Sequence, residues 1–128
     1  MNAPVSFELS KLLKEEGYSK PCEYFWQDRD LSFSPSGLKK TKNGKKMNHN
    51  KYDDFIYSAP TIAEVVMWLY EKHGIWTVVN VNIMGSWYFE HFDLKKKRNA
   101  QFKPTDTHYD SSTEAYSQAI LYTLKNLI

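Results

Sequence analysis

An α+β fold, with a small, mostly antiparallel sheet and three helices, is expected for this chain of 128 residues. Three stretches carry that expectation. Two begin helices with matching chemistry, Ala59-Pro60-Thr61-Ile62-Ala63-Glu64 and Ser111-Ser112-Thr113-Glu114-Ala115. Between them, Trp76-Thr77-Val78-Val79-Asn80-Val81-Asn82-Ile83 and Trp87-Tyr88-Phe89-Glu90-His91-Phe92-Asp93-Leu94 flank Met84-Gly85-Ser86 and read as a β-hairpin. The element order is approximately α-β-(β)-β-α-β-β-α, in one domain spanning residues 1–128.

Ser6 suits the cap of a first helix with Leu9, Leu12 and Leu13 on one face, and Gly17 supplies a left-handed stop. Cys22-Glu23-Tyr24-Phe25-Trp26-Gln27 is aromatic enough for a strand. Asp28-Arg29-Asp30 reads as a turn, and Leu31-Ser32-Phe33 as the start of a short partner strand. Pro35 to Asn50 is rich in Lys and Asn and almost free of apolar residues, so a long mobile basic loop is expected at about 34–52. Strand character returns from Tyr52 to Tyr57.

The second helix is expected from Pro60 to His73, with Thr61 and Glu64 as an alternative capping box and Gly74 as its stop. Ile62, Val65, Val66, Trp68 and Leu69 give it a wide apolar face. For the hairpin, a three-residue loop at Met84-Gly85-Ser86 puts Val79, Val81 and Ile83 beside Trp87, Phe89 and His91. It leaves Asn80 and Asn82 with Tyr88 and Glu90 on the other face. Lys95 to Asp110 reads as a second polar connection. Ser111 and Glu114 then form an S-x-x-E capping box ahead of Ala115, Ala119, Ile120, Leu124, Leu127 and Ile128 at helical spacing.

Apolar content of 41% suffices for a packed interior and argues against global disorder. Aromatic content of 16% exceeds what one small core buries, so part-exposed rings at a cleft or interface are expected, unless they are only half-buried with their polar tips in water. A single cysteine, Cys22, makes no internal disulfide and suits a reducing cytosol. The N-terminal residues lack the basic and apolar regions of a secretory signal, and no apolar run has the length to span a bilayer. A cytoplasmic location is the simple expectation.

Nucleophilic catalysis needs Ser, Cys or Thr near an oriented His, and no such grouping is legible. Cys22 lacks a neighbour that would lower its pKa, so a buried, inert thiol is expected. His49, His73, His91 and His108 lie in unrelated contexts without metal-ligand spacing. His73 suits the last turn of a helix, and His91 a satisfied, partly buried position on the hairpin. Asp53 and Asp54 would point to opposite faces of a strand. Gly37 and Gly44 are isolated and make no phosphate loop.

The lysine-rich stretches remain. Lys39, Lys40, Lys42, Lys45 and Lys46 form one group, and Lys95, Lys96, Lys97 and Arg98 the other. These nine are the candidate anion-binding residues. Sharing a face with Trp26, Tyr52 or another strand aromatic, they would bind single-stranded nucleic acid, a nucleotide or an acidic protein. Lysine runs in loops also serve as solvated surface, and arginine, preferred for bidentate phosphate contacts, is nearly absent.

Three stretches carry a family resemblance: Phe7-Glu-Leu-Ser-Lys-Leu-Leu-Lys-Glu-Glu-Gly17, Tyr57-Ser-Ala-Pro-Thr-Ile-Ala-Glu-Val-Val-Met-Trp-Leu-Tyr-Glu-Lys-His-Gly74 and Ser112-Thr-Glu-Ala-Tyr-Ser-Gln-Ala-Ile-Leu-Tyr-Thr-Leu-Lys-Asn-Leu127. They resemble small uncharacterised proteins of Bacteroidales genomes and their phages or mobile elements. The resemblance implies an accessory protein and transfers no functional residue. The expectation is therefore a non-enzymatic protein-interaction module of phage or mobile-element origin, without cofactor, metal or membrane, binding a protein partner or itself. The alternative is a binder of nucleic acid or a small anionic nucleotide through the lysine-rich loops. Any specific site is expected in the loops at 34–52 and 95–110 or on the polar sheet face.

Overall fold

The computed structural model describes residues 1–28, 37–99 and 108–128. Its helices and small antiparallel sheets make it an α+β protein, as expected. Contacts within the chain divide it into two compact units, residues 2–61 and residues 62–128 together with Met1. Each holds one three-stranded sheet.

In residues 2–61, helix α1 (Phe7–Glu15) begins at Ser6, whose Oγ accepts the Leu9 amide at 3.3 Å. Leu9 and Leu13 are buried along its apolar face, each burial being worth about 1.5–3 kcal/mol. Gly17 turns left-handed at φ 83°, which lets Tyr18 N–H reach Leu13 O (2.9 Å) and Gly17 N–H reach Lys14 O (3.1 Å). That reciprocal pair is a Schellman stop.

Strands β1 (Tyr24–Gln27), β2 (Leu38–Lys40) and β3 (Ile56–Ala59) form an antiparallel sheet in the order β2-β1-β3. Phe25 lies opposite Lys39 on one side and Ser58 on the other, and Trp26 lies between Leu38 and Tyr57. Strand alternation therefore sends Trp26 and Tyr57 to one face and Phe25, Gln27, Lys39 and Ile56 to the other. Helix α1 sits on the first face, where the Phe7 ring meets Trp26 (6.2 Å) and Tyr57 (5.3 Å) edge-on. The second face is left for a cleft.

The stretch expected as loop at about 34–52 is thus partly regular. It carries β2 and two 3-10 turns, Lys42–Gly44 and His49–Lys51. Asn48 caps the second turn, its Oδ1 accepting Asn50 N–H at 3.1 Å. The partner strand expected at Leu31-Ser32-Phe33 lies outside the described residues, and β2 is the partner that β1 has. The third strand runs to Ala59, beyond the expected Tyr57, because Ser58 and Ala59 still face Phe25 and Tyr24.

In residues 62–128, α2 (Ile62–Trp68) continues into a π-helical turn, Leu69–His73, and stops at Gly74 with φ 69°. It starts two residues after the expected Pro60. Thr61 still bridges Pro4, and Pro60 O accepts Val5 N–H at 2.9 Å, so these two residues remain extended. Ile62, Val65, Val66, Trp68 and Leu69 are all buried.

Strands β4 (Ile75–Val81), β5 (Trp87–Asp93) and β6 (Arg98–Asn99) follow in the order β4-β5-β6. Val81 faces Trp87 and Val79 faces Phe89, two residues off the expected register. Asn82 is the cause. Its N–H bonds Ser86 O (2.8 Å) while its Oδ1 accepts Met84 N–H (2.9 Å) and Ser86 N–H (3.1 Å), moving the three-residue tip to Ile83-Met84-Gly85. A shift of two keeps parity, so the faces are as expected: Val79, Phe89 and His91 point inward. Ile83 instead projects fully into solvent.

Helix α3 (Ser112–Tyr122) is capped by Ser111 Oγ on Glu114 N–H (3.1 Å), and Glu114 Oε2 reaches back to Asp110 N–H (3.3 Å). The reach-back lands one residue earlier than in a standard capping box. Ala115 and Ala119 pack with Phe89 and Tyr109 in the core of this unit. His91 is wholly buried, with Nε2 at 3.1 Å from Ala119 O and 2.8 Å from Thr123 Oγ1. Thr123 Oγ1 also donates to Ala119 O at 2.9 Å. The Ala119 carbonyl thus takes side-chain donors as well as the Thr123 amide, and a π turn, Thr123–Leu127, follows.

Candidate functional site

The free face of the β2-β1-β3 sheet becomes a half-open cleft of about 550 Å³, within the size range of small-molecule sites. Phe25, Gln27 and Ile56 line it from the sheet. Met47, His49 and Tyr52 line it from the segment after β2, and Lys39, Lys40, Thr41 and Lys42 from β2 and the residues that directly follow it. The wall is chiefly apolar, with amines beside it.

His49 fixes the wall. Its ring stacks on Phe25, centroids 4.5 Å apart at 25°. Its Nε2 lies 3.2 Å from Cys22 O and 3.3 Å from Thr41 Oγ1. A carbonyl only accepts, so the network assigns the proton to Nε2 and leaves the Nδ1 lone pair unprotonated. Thr41 Oγ1 in turn donates to Glu23 O at 2.7 Å. The His49 amide donates to Ser58 Oγ (3.0 Å), Asn50 Oδ1 accepts Ser58 N–H (2.7 Å), and Asn50 Nδ2 donates to Tyr18 O (2.9 Å). The turn is thereby tied to β3 and to the end of α1. Burial pushes the His49 imidazole below its ordinary pKa of 6.5, opposed by its bond to the Cys22 carbonyl. The neutral ring is the form this wall favours.

Among the lysines, Lys40 is paired with Glu23 at 3.2 Å, and that hydrogen bond raises its pKa. Lys39 stands across from Phe25 on the cleft face, and Lys42 begins the first 3-10 turn. The fold thus brings three of the nine candidate lysines and arginines, Lys39, Lys40 and Lys42, around one cleft. Lys45 and Lys46 are exposed and do not line it. Lys95, Lys96 and Lys97 are exposed on the turn after β5 in residues 62–128, where Asp93 Oδ1 accepts the Lys95 and Lys96 amides at 3.1 Å each. Arg98 opens β6.

Of the aromatics expected beside the lysines, Tyr52 lines the cleft. Trp26 does not: it is on the α1 face, its Nε1 donating to Val5 O at 3.2 Å. Phe25, one residue away, takes that place through strand alternation. His49, Met47 and Ile56 escaped the sequence reading. A lone Met between polar residues gives no periodic signal, and a histidine in a 3-10 turn looks like any loop histidine. Cys22 is buried, as expected, with Sγ donating to Tyr24 O at 3.3 Å.

Among the described residues, no three His, Cys, Asp or Glu side chains gather closely enough to hold a metal ion. No described helix is long and apolar enough to cross a membrane. Comparison of the chain with family models, with curated proteins and with solved structures finds no match in any of the three.

Proposed function

We propose that this protein is a non-enzymatic binding module whose residues 2–61 receive a small anionic ligand with a flat apolar body, the nucleotide class. The observation that carries this reading is the juxtaposition of the Phe25, Met47 and Ile56 wall with the amines of Lys39 and Lys42 in one cleft. The apolar wall takes a base by burial and dispersion, and the lysines take phosphate charge. The half-exposed Tyr52 ring adds a stacking face at the rim. A single cleft of this volume matches one mononucleotide better than a strand of nucleic acid, which needs a track of successive stacking platforms. The accessory role in a phage or mobile element rests on the resemblance of the helical stretches alone.

Calorimetric titration with adenosine triphosphate at low salt tests the reading. The expected result is saturable binding that weakens as salt rises and loses at least about tenfold in affinity in the Lys39→Glu/Lys42→Glu variant. Binding indifferent to both changes, or binding of an acidic peptide where the nucleotide gives no heat, overturns it.

A second reading, attachment to a protein partner or a second copy through residues 62–128, is favoured by apolar side chains left in solvent there. Trp76, Val81, Ile83, Met84 and Phe92 are all exposed.

A further inference from the structure

The tip of the β4-β5 hairpin is apolar where turns are ordinarily polar. Ile83 is wholly exposed and Met84 is 82% exposed, and Val81, two residues before Ile83, is 45% exposed. From Ile75 to Phe89 the chain carries no charged residue. Single apolar side chains in solvent are ordinary, but two adjacent large ones at the end of a ribbon have nothing in the fold to pack against.

The tip also satisfies its backbone amides without water. Asn82 N–H donates to Ser86 O (2.8 Å) and Gly85 N–H to Asn82 O (3.0 Å). Asn82 Oδ1 accepts the Met84 amide (2.9 Å) and the Ser86 amide (3.1 Å). Every amide from Asn82 to Ser86 except that of Ile83 thus has its acceptor inside the turn. An amide taken out of water unpaired opposes transfer into an apolar medium. A protein pocket can supply donors and acceptors to a turn; lipid cannot, and this turn asks for almost none.

Below the tip the side chains change character. Val81 lies opposite Trp87 and Asn80 opposite Tyr88, both rings half-buried. Trp87 is bridged to Tyr109, and the exposed Asp110 follows at the start of α3. An apolar end, then Trp and Tyr, then charge is the order of side chains across a membrane–water boundary.

We propose that the Ile83-Met84 tip inserts into the surface of a lipid bilayer, with Trp87 and Tyr88 at the headgroup level and Asp110 left in water. The contact is shallow. Ile83 and Met84 together carry fewer carbon atoms than one myristoyl chain, so attachment is reversible. It gives two of the exposed groups in the second reading above a lipid in place of a protein, and it is independent of the cleft. Trp76 and Phe92 sit at the opposite end of the hairpin and take no part.

Flotation of the full chain with phosphatidylcholine vesicles at millimolar lipid tests the proposal, beside vesicles that also contain phosphatidylserine, with Ile83→Asp/Met84→Asp as the variant. Both positions lie in solvent, so the substitution removes no packing. The expected result is a fraction bound to phosphatidylcholine that grows with lipid and is unchanged by salt. Apparent partition should fall at least about tenfold in the variant while circular dichroism is unchanged. In the unmodified protein, spin-labelled acyl chains should broaden the Ile83 and Met84 methyl resonances selectively. That readout decides the matter even if the variant fails to fold. Binding only to phosphatidylserine vesicles, abolished by salt, is adsorption through lysines and overturns tip insertion. So does binding that the variant retains, or binding without methyl broadening. No association with either vesicle also overturns it and leaves the tip to a protein partner.

Discussion

His49 shows how a loop histidine becomes structural. Its Nε2 serves the Cys22 carbonyl and Thr41, and its ring lies flat on Phe25, so the cleft wall depends on the neutral form. Burial lowers its pKa from 6.5, so as pH falls the unfolded chain takes up the proton first. Its contribution to stability is therefore intact above about pH 6.5 and is lost as pH falls from there toward the lowered folded value. Urea unfolding at about pH 7 and about pH 5 should show a loss of stability that is smaller in His49→Gln, which lacks the titrating ring. An equal loss in both proteins contradicts the assignment. None of this was visible in the sequence, where the residues meeting at His49 are Cys22, Phe25, Thr41 and Ser58, up to 27 positions away.

At the scale of elements, the strongest local signals were legible. Ser6, Gly17, Gly74 and Ser111 mark helix ends by chemistry that acts within a few residues, and each stands where that chemistry requires. Ser111→Ala should cost about 1 kcal/mol of stability in denaturant titration, because Glu114 N–H loses its acceptor. No loss would show that the cap is replaced by water or by Asp110. What local chemistry leaves open is what a distant partner decides. β2 is a strand because β1 needs an edge neighbour, although its own Leu-Lys-Lys has little strand character. The hairpin tip moved by one residue because one asparagine side chain outbid the Met84-Gly85-Ser86 alternative with two amide bonds. Both long helices end in π turns, which no spacing rule anticipates.

For the whole molecule, the two compact units present different surfaces. Residues 2–61 spend one sheet face on α1 and leave the other as an apolar cleft beside Lys39 and Lys42. Residues 62–128 bury the inner hairpin face under α3 and leave Val81 and the Ile83-Met84 tip in solvent. Composition foretold a surplus of aromatic rings and an uneven lysine distribution, but not their meeting place, which depends on strand parity at Phe25 and Trp26. The most direct test of the central claim is mapping by nuclear magnetic resonance of amide and methyl shifts during titration with adenosine triphosphate. Binding in the cleft predicts shifts concentrated at Phe25, Lys39, Lys42, Met47, His49, Tyr52 and Ile56, abolished together in Lys39→Glu/Lys42→Glu. Shifts centred instead on Lys95, Lys96 and Lys97, or none at saturating nucleotide, contradict it.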